Sequence, residues 1–207
     1  MKFSVLLAVL LLFLSQSSRA QEETLMGSGE IASGGFGAPV VKFTEITGDP
    51  AVLVGGRGGW IVNHTFVLGA GGYGLVTMHK TQDPLAFVFP YGETVLSFGY
   101  GGLELEYIIQ SDKLLHYSVY LLLGGGAVSY RNKHSSDEWE DLYDVHSPDD
   151  AFFVVEPALN LELNVTTFFR INAGIGYRSI SGLKFDNLGN ADFSGMTGTL
   201  VLKFGGF

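Results

Sequence analysis

The chain has 207 residues, 46% of them hydrophobic and only 16% charged, with 29 glycines and no cysteine. A formal charge of −9 repels phosphate backbones, so nucleic acid is not an expected partner. The absence of cysteine excludes disulfides, thiolate metal sites, a cysteine nucleophile and a lipoprotein anchor.

Residues 1–20 read as a signal peptide. Lys2 supplies the positive start, Val5 to Leu14 is an apolar run, and Ser18-Arg19-Ala20 puts small residues at the cleavage positions. The run is too short to cross about 30 Å of hydrocarbon as a helix. Loss of Lys2 and Arg19 leaves 10 basic against 21 acidic residues, a charge of −11. Export without cysteine suits a bacterial envelope. Residues 21–34 are then an N-terminal periplasmic segment, and 35–207 the folded domain.

Eight runs rich in Val, Leu, Phe, Tyr, Thr and Gly follow, divided by Asp, Asn, Pro and Ser clusters. They are placed at 35–46, 50–63, 65–79, 93–109, 114–131, 150–164, 167–180 and 192–207. In the sixth, Phe153, Val155, Leu159, Leu161, Leu163 and Val165 alternate with Glu156, Asn160, Glu162 and Asn164; in the seventh, Phe169, Ile171, Ala173, Ile175 and Tyr177 alternate with Arg170, Asn172, Gly174, Gly176 and Arg178. In the last, Leu200, Leu202 and Phe204 alternate with Thr197, Thr199 and Lys203.

Such alternation fits a soluble ligand-binding barrel with an apolar interior or a membrane barrel with an apolar exterior. The connections favour the second. Those after the second, fourth and sixth runs are short, around His64, Ser111-Asp112 and Val165-Thr166, whereas 80–92, 132–149 and 181–191 are long and polar. Tight periplasmic turns, longer outer loops and an even strand count describe an all-β fold: an eight-stranded antiparallel up-and-down transmembrane β-barrel. Only a closed sheet satisfies its backbone in lipid.

With the apolar faces toward lipid, the interior receives Lys42, Arg57, Arg170, Arg178 and Lys203 together with Glu104, Glu106, Glu156 and Glu162. His116, Asn160 and Asn172 complete the expected lumenal polar network. Eight strands leave an interior just wide enough for side chains, so the barrel is expected to be filled, not open. A hairpin centred on Thr166 would pair Glu162 with Arg170 and Asn160 with Asn172, and a register one step away would set Arg170 beside Asn164 or Asn160.

The signal sequence, the eight amphipathic runs, the stretch Val155 to Thr166 with its continuation to Gly174-Ile175-Gly176-Tyr177-Arg178, and Phe207 together resemble the small eight-stranded outer-membrane β-barrel proteins of Gram-negative bacteria. Gly34-Gly35-Phe36-Gly37 and Gly55-Gly56-Arg57-Gly58-Gly59-Trp60 resemble a Gly-rich branch of them. The resemblance implies that Phe207 belongs to the signal read by the barrel-assembly machinery. Phe207 has the opposite parity to Leu200, Leu202 and Phe204, which a bulge at Gly205-Gly206 would absorb.

His116-Tyr117-Ser118 resembles the catalytic pair of outer-membrane lipid A deacylases, because a base beside a serine is the minimum for acyl transfer. Val119 stands where those enzymes carry Asn, and the register points both side chains inward, so the pair is assigned to the lumenal network. Gly71-Gly72-Tyr73-Gly74 and Gly124-Gly125-Gly126 lack the Lys-Ser or Lys-Thr of a phosphate loop and read as bulges or close packing. Asp137-Glu138-Trp139-Glu140-Asp141, with Asp144, Asp149 and Asp150, lacks calcium-loop spacing and reads as a solvated loop. Asn63-His64-Thr65 and Asn164-Val165-Thr166 read as turns.

No cofactor and no metal are expected, and the partners are outer-membrane lipids, lipopolysaccharide and the assembly machinery. The expected function is that of a monomeric, non-enzymatic, porin-like barrel of the cell outer membrane, serving envelope integrity or surface interaction through its long loops. The alternatives are a narrow channel or carrier for small or apolar solutes and a deacylase-like enzyme using His116 and Ser118.

Overall fold

The computed structural model describes residues 32–78, 94–132, 150–185 and 187–207. The predicted signal peptide, nearly all of the N-terminal segment, the loop 80–92 and the acidic cluster from Asp137 to Asp149 lie outside the described residues.

The strands run in chain order as β1 (Ser33–Ile46), β2 (Asp49–Val62), β3 (Phe66–Leu75), β4 (Thr94–Ile109), β5 (Leu115–Asn132), β6 (Asp150–Asn164) and β7 (Phe169–Ser181). A small hairpin, β8 (Lys184–Phe185) and β9 (Leu188–Gly189), and one helical turn, α1 (Asn190–Phe193), precede the last strand, β10 (Gly195–Gly206). Every barrel strand pairs antiparallel with its chain neighbours, and β1 pairs with β10 to close the sheet. This is the eight-stranded up-and-down barrel expected from the alternation, and closure removes the free edges.

Strand limits follow the apolar alternation to within a few residues. The largest difference is at β3, which stops at Leu75 and not at 79. Thr47 and Gly48, with φ of 54° and 82°, form the two-residue turn between β1 and β2, and Asn63 and His64, with φ of 51° and 55°, turn β2 into β3. Asn63 stays fixed because its Oδ1 accepts a hydrogen bond from the Ala32 amide at 3.2 Å. Pro50 is the second residue of β2, while Pro39 and Pro157 lie well inside β1 and β6, where each lacks an amide proton for the ladder. The β1–β10 ladder accordingly skips Ala38 and Pro39, and the β6–β7 ladder skips Glu156 and Pro157.

The barrel is inside-out compared with a soluble domain. Phe43, Trp60, Leu68, Leu103, Val119, Phe153, Leu159, Ile175 and Met196 are all exposed on the outer wall, and Phe153 is 73% exposed. An apolar band on every barrel strand far exceeds the few hundred Å² that a soluble monomer leaves bare. It marks a transmembrane wall, and the soluble ligand-binding alternative is set aside. At the short-turn end Phe66 meets Tyr107 with ring centroids 5.3 Å apart, and Phe169 stacks on Phe204 at 4.8 Å. With Trp60 and Tyr117 these rings form a girdle suited to the membrane interface.

Two register expectations are corrected. Arg170 stands opposite Asn164, Glu162 opposite Asn172 and Asn160 opposite Gly174, so the β6–β7 hairpin is centred one residue later than the expected Thr166. The cause is a four-residue loop, in which the amides of Val165 and Thr166 both donate to the Phe169 carbonyl. The β1–β10 pairing also keeps one register from Phe43–Gly198 to Gly35–Gly206, so Gly205-Gly206 holds no bulge. Phe207 instead follows its parity inward and stacks 6.4 Å from Phe36.

Candidate functional site: the charged barrel interior

The inward set on each strand is fixed by parity. It comprises even positions on β4 to β7 and odd positions on β10. Lys42, Arg57, Glu104, Glu106, His116, Glu156, Asn160, Glu162, Arg170, Asn172, Arg178 and Lys203 all lie in the interior, and none exceeds 8% exposure. Isolated charges at such positions would cost several kcal/mol each, so their partners decide whether the fold holds.

At mid-barrel Arg57 bridges two carboxylates. Its Nε lies 2.7 Å from Glu104 and its Nη2 2.8 Å from Glu106. Glu104 also accepts the Tyr73 hydroxyl at 2.5 Å. Glu106 accepts the Ser118 hydroxyl at 2.5 Å and Lys203 Nζ at 3.1 Å. Toward the short-turn end, Glu162 receives Lys203 at 2.5 Å, Arg170 at 3.0 Å and the Asn172 amide at 3.2 Å. The Arg170 guanidinium covers the Phe207 ring at 3.9 Å, so Phe207 closes this end of the interior with a cation–π contact.

Toward the long-loop end, Glu156 accepts both Lys42 at 2.9 Å and the hydroxyls of Tyr100 and Thr197 at 2.6 and 3.0 Å. Lys42 also sits 3.7 Å above the Tyr73 ring. A cavity bounded by Lys42, Arg57, Tyr73, Tyr120 and Glu156 has about the size of one water molecule.

Arg178 differs from the other cations. No carboxylate pairs with it among the described residues; its Nε donates to the Phe193 carbonyl at 2.7 Å, and its Nη2 to Thr44 Oγ1 and the Glu45 carbonyl at 3.2 Å. It thereby pins α1 over the barrel. Phe193 is fully buried against Phe98 at 5.3 Å, and Leu183 and Phe185 are buried beside it. Leu183 and Phe185 come from the connection expected at 181–191 to be a polar loop, and Phe193 from the start of the run expected at 192–207 to be strand, a start that instead falls in α1; together they give this end an apolar cap. The polar composition of the connection concealed Leu183 and Phe185, and the strand expected from 192 concealed the helical turn that carries Phe193. Arg178→Met is expected to leave the barrel closed but loosen this cap, so limited proteolysis within 187–191 should accelerate several-fold, with unchanged heat-modifiable gel mobility.

His116 and Ser118 are both inward, but their hydrogen bonds diverge. His116 Nε2 faces Glu162 at 3.2 Å and Nδ1 faces the Lys113 carbonyl at 3.1 Å, whereas the Ser118 hydroxyl is engaged by Glu106 and by Asn160 Nδ2 at 3.1 Å. The imidazole is not placed as a base on the serine, which acyl transfer requires. Tyr73, Tyr100 and Thr197 are network members that the charge-based reading missed; only their inward parity pointed to them.

Arg170→Leu should cost less than loss of a mid-barrel cation, because Glu162 retains Lys203 and Asn172. Denaturant titration should show a drop of about 1–3 kcal/mol, the range for a buried acceptor losing one of several partners. Glu162→Gln in that background should recover part of the loss, as coupled neighbours do. Strict additivity would show that the pair does not interact.

Comparison of the sequence with protein-family models and with curated proteins gives no match. Among solved structures, the barrel is similar to the crystal structure of Neisserial surface protein A, at 12% identity and a TM-score of 0.51, covering 86% of this chain and 98% of that one. It also aligns with Ail, the attachment invasion locus protein of Yersinia pestis, in complex with the heparin analogue sucrose octasulfate, at 11% identity and a TM-score of 0.46, covering 84% of this chain and 95% of that one. The uncomplexed Ail structure aligns at 11% identity and 0.44. The likeness to the Neisserial protein is one of fold.

Proposed function

We propose that this chain is a non-enzymatic barrel of a Gram-negative outer membrane, in which an ion-paired interior makes a rigid wall that carries long loops on the cell surface. The observation that carries this reading is the side-chain-filled lumen: Glu104, Glu106 and Glu162 share Arg57, Lys203 and Arg170 in one chain of ion pairs, and the Lys42–Glu156 pair lies beside it, with Lys42 over the Tyr73 ring. Such a network occupies the space a pore would need and holds the strands in one register. Its bonds are internal, which leaves the connections after β3, β5 and β7 as the variable, surface-interacting part. The short turns at 63–65, 110–114 and 165–168 would face the periplasm.

The test is fractionation of expressing cells together with protease treatment of intact cells. Recovery in the outer membrane, heat-modifiable mobility and first cleavage within 133–149 are expected, since exposed polar loop tips are preferred nicking sites. A soluble periplasmic protein would overturn the location, and cleavage at the short turns would invert the topology.

A further inference from the structure

The outer wall is not uniformly convex. Between β5, β6 and β7 lies a depression of about 600 Å³, within the roughly 300–1,000 Å³ of small-molecule sites. Its floor is Ala173, whose Cα neighbours across the ladders are the larger Leu161 and Leu200. Tyr117, Val119, Leu159 and Ile175 form its sides, and a second depression of about 250 Å³ sharing Val119, Leu159 and Ile175 extends it to Pro157 and Met196.

We infer that this groove seats one acyl chain of a glycerophospholipid whose phosphate is met by Lys113. The groove lies in the apolar band, where the surrounding medium is hydrocarbon chain. From Leu161 to Pro157 it follows four residue steps of β6, about 13 Å at 3.3 Å per residue. That is close to the about 15 Å of one leaflet, half of the 30 Å hydrocarbon core. Its lower end, at Ile109 and Tyr117, adjoins the turn 110–114 at the membrane interface. There the Lys113 ammonium is exposed, and its one partner is the equally exposed Asp112 at 3.3 Å, among the described residues. A solvent-exposed pair of this kind contributes little, so a lipid phosphate can take the lysine from it. The Tyr117 side chain, half exposed at the same end, carries its hydroxyl at the level where aromatic side chains meet headgroups.

The choice of phospholipid over lipopolysaccharide rests on the topology proposed above, in which the short turns face the periplasmic leaflet. The full chain, extracted from outer membranes in mild detergent, is analysed by native mass spectrometry for bound lipid, with Ala173→Leu and Lys113→Ala alongside. One retained phospholipid per barrel is expected, with about tenfold weaker retention in Ala173→Leu and a smaller loss in Lys113→Ala, both variants keeping heat-modifiable mobility. Ala173 points outward, so filling it leaves the interior network untouched, and Lys113→Ala tests the headgroup contact even if the leucine variant does not fold. Lipopolysaccharide in place of phospholipid would overturn the assignment together with the topology. No retained lipid, a second copy of the chain in its place, or equal retention by Ala173→Leu would overturn the groove alone. Unchanged retention by Lys113→Ala would overturn the headgroup contact.

Discussion

Replacing Arg57 by methionine is expected to lower the unfolding free energy by about 3–5 kcal/mol, the cost of removing one partner from a buried ion pair. Arg57 is 7% exposed and, among the described residues, is the cation within ion-pair distance of Glu104, which would keep the Tyr73 hydroxyl as its partner there. Glu106 would fare better, because Lys203 and Ser118 remain. The loss should therefore trace mainly to Glu104, and Glu104→Gln in the methionine background should restore a large part of it, whereas Glu106→Gln should restore less. The measurement is denaturant unfolding of the refolded barrel in detergent, followed by tryptophan fluorescence, for the single and double variants. Equal cost with and without both Glu104→Gln and Glu106→Gln would show that Arg57 acts through the Tyr120 and Phe36 rings, 4.7 and 5.4 Å from the guanidinium, and not through charge pairing.

The same interior shows what was legible in the chain and what was not. Period-2 alternation in β6 and β7 assigns faces without ambiguity, because a one-residue slip would put Arg170 and Glu162 into lipid. Alternation says nothing of height along the barrel. Which cation meets which carboxylate depends on strand stagger, and the Thr166-centred hairpin placed Arg170 one step away from its true partner position because a four-residue loop replaced the shorter turn. The Glu162–Arg170 contact nevertheless forms diagonally, as long side chains reach neighbours about 7–8 Å away across a sheet. The phenols were hidden for a different reason. Tyr73 and Tyr100 carry no formal charge, and aromatic residues are as common on the lipid face as inside. The cap over Arg178 was hidden because burial of Leu183 and Phe185 comes from a connection folding back on itself, which leaves no periodic trace, and because Phe193 belongs to a helical turn where the last strand was expected to begin.

Glycine supplies the sharpest remaining contrast. Gly124 on β5 stands opposite Gly102 on β4, and both point inward. A Cβ on Gly124 would collide with the Gly101 carbonyl and lie 2.8 Å from the Gly102 Cα; one on Gly102 would lie 2.6 Å from the Gly124 Cα. These obstacles are backbone, which cannot rotate aside as a side chain can. The close approach of the two strands thus requires glycine, and the run Gly124-Gly125-Gly126 is close packing and not a bulge, since the β4–β5 ladder is continuous through it. Gly72 on β3 provides the matched control, because it belongs to an equally glycine-rich run yet has open space where its Cβ would be. Gly124→Ala is expected to cost about 3 kcal/mol or more, at or above the upper end for overpacking a filled interior. Gly72→Ala should stay within about 1 kcal/mol and on the stabilising side, since glycine in a strand loses more backbone entropy than alanine. The two variants, refolded in detergent, should separate on a heat-modifiable gel: Gly72→Ala runs folded like the parent, whereas Gly124→Ala yields mostly the unfolded band. Equal folding of both would mean that β4 and β5 can move apart at Gly102 without opening the barrel, and that strand proximity there is not what closes it.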